Sequence, residues 1–285
     1  MGSHILLHTL TAALYLGLGV YYWRAHWRDG VREVRDRGHY LILIPVVLHT
    51  WLLWSELLQA PTFRFGFGQA LSVMLWLTVV IYWVESRLFN VQGMQAIILP
   101  AAALCVFVPA IFPGAATPGY TQHLAFRAHL LLAMAAYSLF TIGAMHALLM
   151  AALDRTLHGD SAVSGRDSDR AKALLLRGAF AGMPPLLTLE RLLFRILGIG
   201  FLLLTLTLAS GILFSEELFH QPLQLNHKTI FAFMSWLIFG ALLFGRWRYG
   251  WRGRRALRWT VSGFAVLLLT YVGTRFVLEV LLARI

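Results

Sequence analysis

Eight apolar runs, most of them long enough to cross a bilayer as a helix, dominate this sequence. They lie near residues 3–23, 40–58, 69–84, 91–112, 128–153, 192–214, 227–245 and 259–282. A crossing needs about 20 apolar residues at a rise of about 1.5 Å per residue. Since 59% of the 285 residues are hydrophobic and only 13% are charged, a water-soluble fold would leave large apolar patches exposed. The sequence predicts one all-α domain, 1–285, that forms a polytopic membrane bundle of about eight transmembrane helices.

Arginine is concentrated in alternate loops between these runs. Five arginines separate the first two runs and six separate the last two, and a linker near 154–190 is also basic. The opposite loops hold single basic residues such as Arg64, Arg127 and Lys228. Positively charged loops stay in the cytoplasm, so we expect both termini to be external in a bacterial inner (plasma) membrane protein. We therefore attribute the net charge of +11 to the orientation of the protein in the membrane and not to nucleic-acid binding.

Thiol chemistry and familiar catalytic motifs are not supported by the sequence. Cys105 is the single cysteine, which rules out a disulfide within the chain, a Cys-x-x-Cys pair and covalent haem attachment through Cys-x-x-Cys-His. The chain has no phosphate loop, zinc motif or defensible catalytic triad. We therefore expect a protein that is not an enzyme.

One histidine, His129, lies at the outer end of the fifth run. Ala133, Ala136 and Gly143 follow on the same helical face, within about 40° of it at about 100° per residue. Small residues permit close helix packing in membranes, and they also leave room for a flat macrocycle whose iron His129 would ligate. The sequence leaves both interpretations open.

A second histidine, His227, opens the seventh run at the same predicted depth. Its face continues with Phe231, Met234 and Ile238, an apolar wall suited to either lipid or porphyrin. A haem with two histidine ligands needs two imidazoles at one depth on different helices. The sequence therefore predicts a non-covalent, b-type haem whose iron is bound by His129 and His227. His49 lies near the middle of the second run and would need a separate ligand partner.

A few charged residues lie inside the predicted spans, where they suggest functional sites. Arg275 and Glu279 form an i,i+4 pair near the outer end of the last run. They either neutralise one another or leave Arg275 to bind a haem propionate through its paired donors. Glu56 and Glu85, together with His49, support an alternative function: an ion or metal transporter, or a transport accessory, that binds no cofactor.

The second half of the sequence carries a recognisable pattern. Residues 225–231 read LNHKTIF, followed by Trp236, Arg246 and the loop GWRGRR at 250–255. This resembles the cytochrome c assembly membrane proteins of the CcsA, CcmC and CcmF group. Lys228, Phe231 and Trp236 of this chain match the spacing of the outer motif of that group. The resemblance is greatest to the YpjD-type inner-membrane branch. It extends to His129 with Tyr137, and to residues 183–186 (MPPL) and 189–191 (LER).

The resemblance implies a function and its ligands. His129 and His49 match ligand positions of the family, whereas Asn226 replaces the motif's aspartate and Phe244 replaces its second intramembrane histidine. His227 is predicted as a substitute ligand. The family implies a haem-binding protein with an accessory role in cytochrome c biogenesis or haem handling. The expected partners are membrane lipid, haem and cytochrome c maturation proteins.

Overall fold

The computed structural model describes residues 2–28, 38–59, 63–89, 91, 93–114, 123–159, 185–219 and 226–282. These ranges contain nine α-helices of four or more residues and no β-strand. The helices are α1 Gly2–Arg28, α2 Gly38–Leu41, α3 Leu43–Leu57, α4 Phe67–Leu88, α5 Gln95–Ile111, α6 Leu124–Gly159, α7 Leu186–Phe219, α8 His227–Tyr249 and α9 Gly253–Leu268. The helical path of α9 continues to Leu281 through two π-helical segments, Leu269–Gly273 and Val277–Leu281, which are separated by the short α-helix Thr274–Phe276.

Seven of the helical segments in the described ranges are long and apolar enough to cross a membrane. The eighth apolar helix, α5, has 17 residues and contains Pro100 and Pro109. It packs against α1 and α4. The prediction of a polytopic all-α bundle with about eight helices is confirmed. The external position of both termini rests on the arginine distribution and stays a prediction, as does the single-domain assignment.

The helices form two groups that meet between α4 and α6. The N-terminal group contains α1, α3, α4 and α5, and the C-terminal group is a ring in which α6, α7, α8 and α9 each contact the next. Across the middle of that ring the rings of Phe140 and Phe239 stack at 3.9 Å between centroids. Ser138 on α6 donates to the carbonyl oxygen of Met74 on α4 at 3.1 Å. Residues 160–184, most of the linker predicted near 154–190, lie outside the described residues. On either side of them α6 runs to Gly159 and α7 begins at Leu186.

A tight turn joins α8 to α9 at the predicted cytoplasmic end. Gly250 ends α8 with φ of 64°, in the left-handed region that glycine adopts without steric cost. The chain then folds Trp251 back over Gly245, so that a Cβ atom added at Gly245 would lie 2.5 Å from the indole ring. Trp259 and the Arg255 guanidinium pack on the same indole.

Gly245→Ala should destabilise the protein, because the crowded indole has little room to move. We expect a cost of about 1–3 kcal/mol, as for other overpacked sites, measured as a lower thermal unfolding midpoint in detergent. Gly198→Ala is the matched control, since nothing lies within 4 Å of its added Cβ and alanine is the better helix former. A midpoint for Gly245→Ala equal to that of Gly198→Ala would contradict this packing.

Candidate functional site

Three of the four predicted ligand residues lie at one end of the C-terminal ring. His129, His227 and Arg275 all belong to the outer zone, which we define as residues 123–132, 205–213, 226–234 and 268–282. Every residue of this zone is at least partly exposed. Buried side chains begin immediately below it, at Ala133, Leu204, Ser235 and Leu267. The bundle itself therefore does not bury the side chains of the outer zone.

His129 is held against α7 by a hydrogen bond to Ser210. The Ser210 hydroxyl lies 2.8 Å from His129 Nδ1 and 3.0 Å from the carbonyl oxygen of Thr207, which can accept its proton. When the hydroxyl donates to Thr207, Nδ1 carries the imidazole proton and the lone pair is on Nε2. Histidines that ligate metals are oriented in this way, by a hydrogen bond from the second ring nitrogen.

The small residues below His129 pack against neighbouring helices. A Cβ added at Gly143 would lie 3.2 Å from Leu197 Cδ2 on α7, and Ala133 and Ala136 are buried. Gly211 has a related role higher on α7, since its added Cβ would lie 3.4 Å from His129 Cε1. Helix packing accounts for this face at the depth of Gly143.

His227 is the first residue of α8 and is exposed. Ile230 and Met234, on the same side of the helix, are each 44% exposed, so this side faces lipid or a ligand and not the bundle interior. The preceding residue, Asn226, is the N-cap, and its Oδ1 accepts a hydrogen bond from the Thr229 amide at 3.1 Å. Asparagine thus still caps the helix at the position where the resemblance expects aspartate. His227 and His129 share one end of the ring, but no contact joins their imidazoles.

Arg275 belongs to a cluster of charges at the outer ends of α8 and α9. Its Nη1 lies 3.5 Å from Glu279 Oε1, and its guanidinium carbon lies 5.8 Å from the centre of the Tyr271 ring. Lys228 Nζ lies 5.9 Å from the centre of the same ring. Glu279 also accepts a hydrogen bond from the Phe67 amide, at 3.3 Å.

Arg275 and Glu279 form the i,i+4 contact that the sequence suggested. Around the Tyr271 ring lie two cations, Arg275 and Lys228, and one carboxylate, Glu279, so a positive charge remains in excess. Arg275 Nε is buried and has no hydrogen-bond partner among the described residues. An unsatisfied buried donor beside excess positive charge suits an anionic group such as a carboxylate.

His49 is remote from the outer zone and lies in the N-terminal group. It is fully buried, with Nε2 2.8 Å from the Ser72 hydroxyl on α4 and Nδ1 3.4 Å from the Tyr15 hydroxyl on α1. Both ring nitrogens therefore have protein partners. The structure does not bring His49 together with His129, His227 or Arg275.

The two intramembrane glutamates named with His49 each pair with a different histidine. Glu56 Oε1 lies 2.6 Å from His8 Nε2, and the other ring nitrogen of His8 donates to the Val106 carbonyl at 2.6 Å. Glu85 Oε1 lies 3.0 Å from His146 Nε2, although the pair lacks hydrogen-bond alignment. His49, Glu56 and Glu85 thus belong to three separate contacts. Within the described residues no three side chains of His, Cys, Asp or Glu converge on a site for a bare metal ion.

Residues of the sequence pattern meet again at the inner end of the C-terminal ring. Arg246 on α8 forms an ion pair with Glu190 on α7 and donates to the Trp251 carbonyl at 3.2 Å. Arg252 lies 3.6 Å from the same Glu190 oxygen. The LER and GWRGRR segments are therefore joined through one carboxylate, which ties the start of α7 to the turn between α8 and α9.

Comparison with known proteins gives matches over most of the chain. The sequence model of a family described as "Cytochrome C assembly protein" matches residues 40–282. "Inner membrane protein YpjD" of Escherichia coli is 31% identical over 166 residues, which cover 58% of this chain and 54% of that protein. "Cytochrome c biogenesis protein CcsA" of Prochlorococcus marinus is 39% identical over 88 residues, or 31% of this chain and 28% of that protein. The match thus spans about half the length of the YpjD relative. No solved structure matches.

Proposed function

The chain belongs to the cytochrome c assembly protein family, and from this premise we propose that it is a haem-binding protein with an accessory role in cytochrome c biogenesis or haem handling. It is a multi-pass inner-membrane protein. We propose that the haem is b-type, bound without covalent attachment in the outer zone, and that the role is not catalytic. Haem and cytochrome c maturation proteins are the proposed partners.

The contact between Ser210 and His129 Nδ1 is the observation that supports this proposal most strongly. It orients the imidazole through one ring nitrogen, and Nε2 is the nitrogen that would bind iron. An imidazole suits iron, and a porphyrin would supply the ligands that the described side chains lack. A bare metal ion would need more protein ligands than this site provides.

The other outer residues would hold the periphery of the group. Arg275 and Lys228 supply positive charge for a propionate, with the unsatisfied Nε of Arg275 as a donor. His227 is the proposed second axial ligand, and Ile230 and Met234 would form an apolar wall beside it. A bound haem would supply the redox-active iron, while these residues orient it and neutralise its charge. His49 lies in the N-terminal group, away from this site, and contacts Ser72 and Tyr15.

An optical spectrum tests the proposal directly. The full-length protein, purified from membranes of haem-replete cells, should show a Soret band, and its pyridine haemochrome should identify b-type haem. Acid–acetone should extract this haem, because it is not covalently attached. Absence of a Soret band from the folded, monodisperse protein would refute haem binding.

The transport alternative depends on His49, Glu56 and Glu85. Each of these residues has its own partner on another helix, so the contacts themselves account for these groups as links between helices. A transport role predicts cation sensitivity for His49→Ala or Glu56→Gln and no effect of His129→Ala. The haem proposal predicts that His129→Ala lowers the haem content and that His49→Ala and Glu56→Gln leave it unchanged.

A further inference from the structure

A cleft opens between α6 and α9 at the predicted cytoplasmic end, away from the outer zone. It encloses about 390 Å³, a volume within the range of small-molecule sites. Its walls are Ala147 and Ala151 on α6 and Leu257 and Val261 on α9. The alanines on one wall leave the space that larger side chains would fill.

The mouth of the cleft is polar and carries more positive than negative charge. Arg254 Nε lies 2.7 Å from Asp154 Oδ2, so this arginine is neutralised in part. Arg258 also lines the cleft; it is exposed, and no ion pair joins it to a described residue. One guanidinium is therefore available beside a groove whose deeper walls are apolar.

We propose that this cleft binds an anionic phospholipid of the inner leaflet. Its apolar walls lie on the candidate spans of α6 and α9, where an acyl chain would lie, and its arginines lie at the predicted cytoplasmic ends of these helices, where lipid headgroups are expected. Basic clefts between transmembrane helices on the cytoplasmic side suit the phosphates of anionic lipids. Arginine favours a phosphate because it offers paired donors. Arg258 would bind the phosphate and Ala151 would admit the acyl chain.

Two kinds of variant test the charge and the groove separately. Arg258→Gln removes the charge that attracts the phosphate and keeps the groove. Ala151→Phe keeps every charge and fills the groove, as would Val261→Phe from the opposite wall if Ala151→Phe proves unstable. Arg248→Gln is the matched control, since Arg248 is an exposed arginine at the same end of the bundle whose guanidinium packs over Tyr249.

Lipid binding to the delipidated, full-length protein tests the assignment. Phosphatidylglycerol, phosphatidylcholine and inorganic phosphate are titrated separately, and binding is followed by native mass spectrometry and by the thermal unfolding midpoint. We expect saturable binding of phosphatidylglycerol that Arg258→Gln weakens about fivefold or more. The groove-filling variant should abolish it, and Arg248→Gln should leave it within about twofold of wild type.

Four results would overturn the proposal. Equal binding of phosphatidylcholine would remove the charge selectivity, and an equal effect of inorganic phosphate would show that no lipid is required. An equal loss in Arg248→Gln would indicate general surface attraction instead of a site. Undiminished binding by a folded groove-filling variant would show that the acyl chain lies elsewhere.

Discussion

Replacing His129 by alanine should remove most of the bound haem from the purified protein. The substitution deletes the ligand atom Nε2 and the hydrogen bond that orients it. Ser210→Ala should have a milder effect and weaken haem binding about 10- to 100-fold, the usual cost of removing the partner that orients a metal-bound histidine. The Soret absorbance per mole of protein measures both effects, with haem titrated into the apoprotein for the affinity.

Two further histidines make this experiment specific. His123 is exposed and precedes α6 on the same side of the membrane, so His123→Ala should keep full haem content. His227→Ala should change the axial-ligand spectrum of the iron while leaving His129 to retain haem. If His129→Ala kept the wild-type absorbance, His129 would not be the ligand. An unchanged spectrum for His227→Ala would remove His227 from the coordination sphere.

The bundle could be predicted because its signals are local. The length and composition of each apolar run are enough to predict a helix. The structure places α1 and α3 to α9 over the predicted runs. The helices extend beyond those runs where polar residues continue them, as α6 does to Gly159. Because these extensions are not apolar, a hydropathy profile does not detect them.

The contacts of the candidate site could not be predicted, because they join distant residues whose types carry little signal. Ser210 is one serine among several, and its hydrogen bond to His129 exists only because α6 packs against α7. Helix packing between these two elements has no unique register in the sequence. The histidine could therefore be identified, whereas the partner that orients its ring could not.

One relation among the buried polar residues could have been found in the sequence. His8 and Tyr15 are seven residues apart on α1, as are His49 and Glu56 on α3. In two antiparallel helices, positions seven apart lie on the same face, so a single register pairs His8 with Glu56 and Tyr15 with His49. Both contacts are present. This spacing, which the sequence analysis did not use, indicates a link between helices more directly than a path for ions.

Loss of Arg246 should destabilise the protein more than any other single change at the inner end. Its partner Glu190 is only 9% exposed, and removing one member of a buried ion pair leaves the other charge uncompensated. Such removals cost about 3–5 kcal/mol. Arg246→Gln also gives up the hydrogen bond to the Trp251 carbonyl and the contact with the Phe194 ring. We expect a large fall in the thermal unfolding midpoint in detergent.

The double variant shows whether the buried charge is the cause. Glu190→Gln combined with Arg246→Gln removes both charges and should recover part of the stability lost by Arg246→Gln alone, because no unpaired carboxylate remains. Arg252, 63% exposed and 3.6 Å from Glu190, cannot replace the lost partner fully, since an exposed charge is screened by solvent. Arg248→Gln should leave the midpoint nearly unchanged. If the double variant were as unstable as the sum of its two single variants, Glu190 and Arg246 would act independently, and the link between the two sequence segments would have no energetic basis.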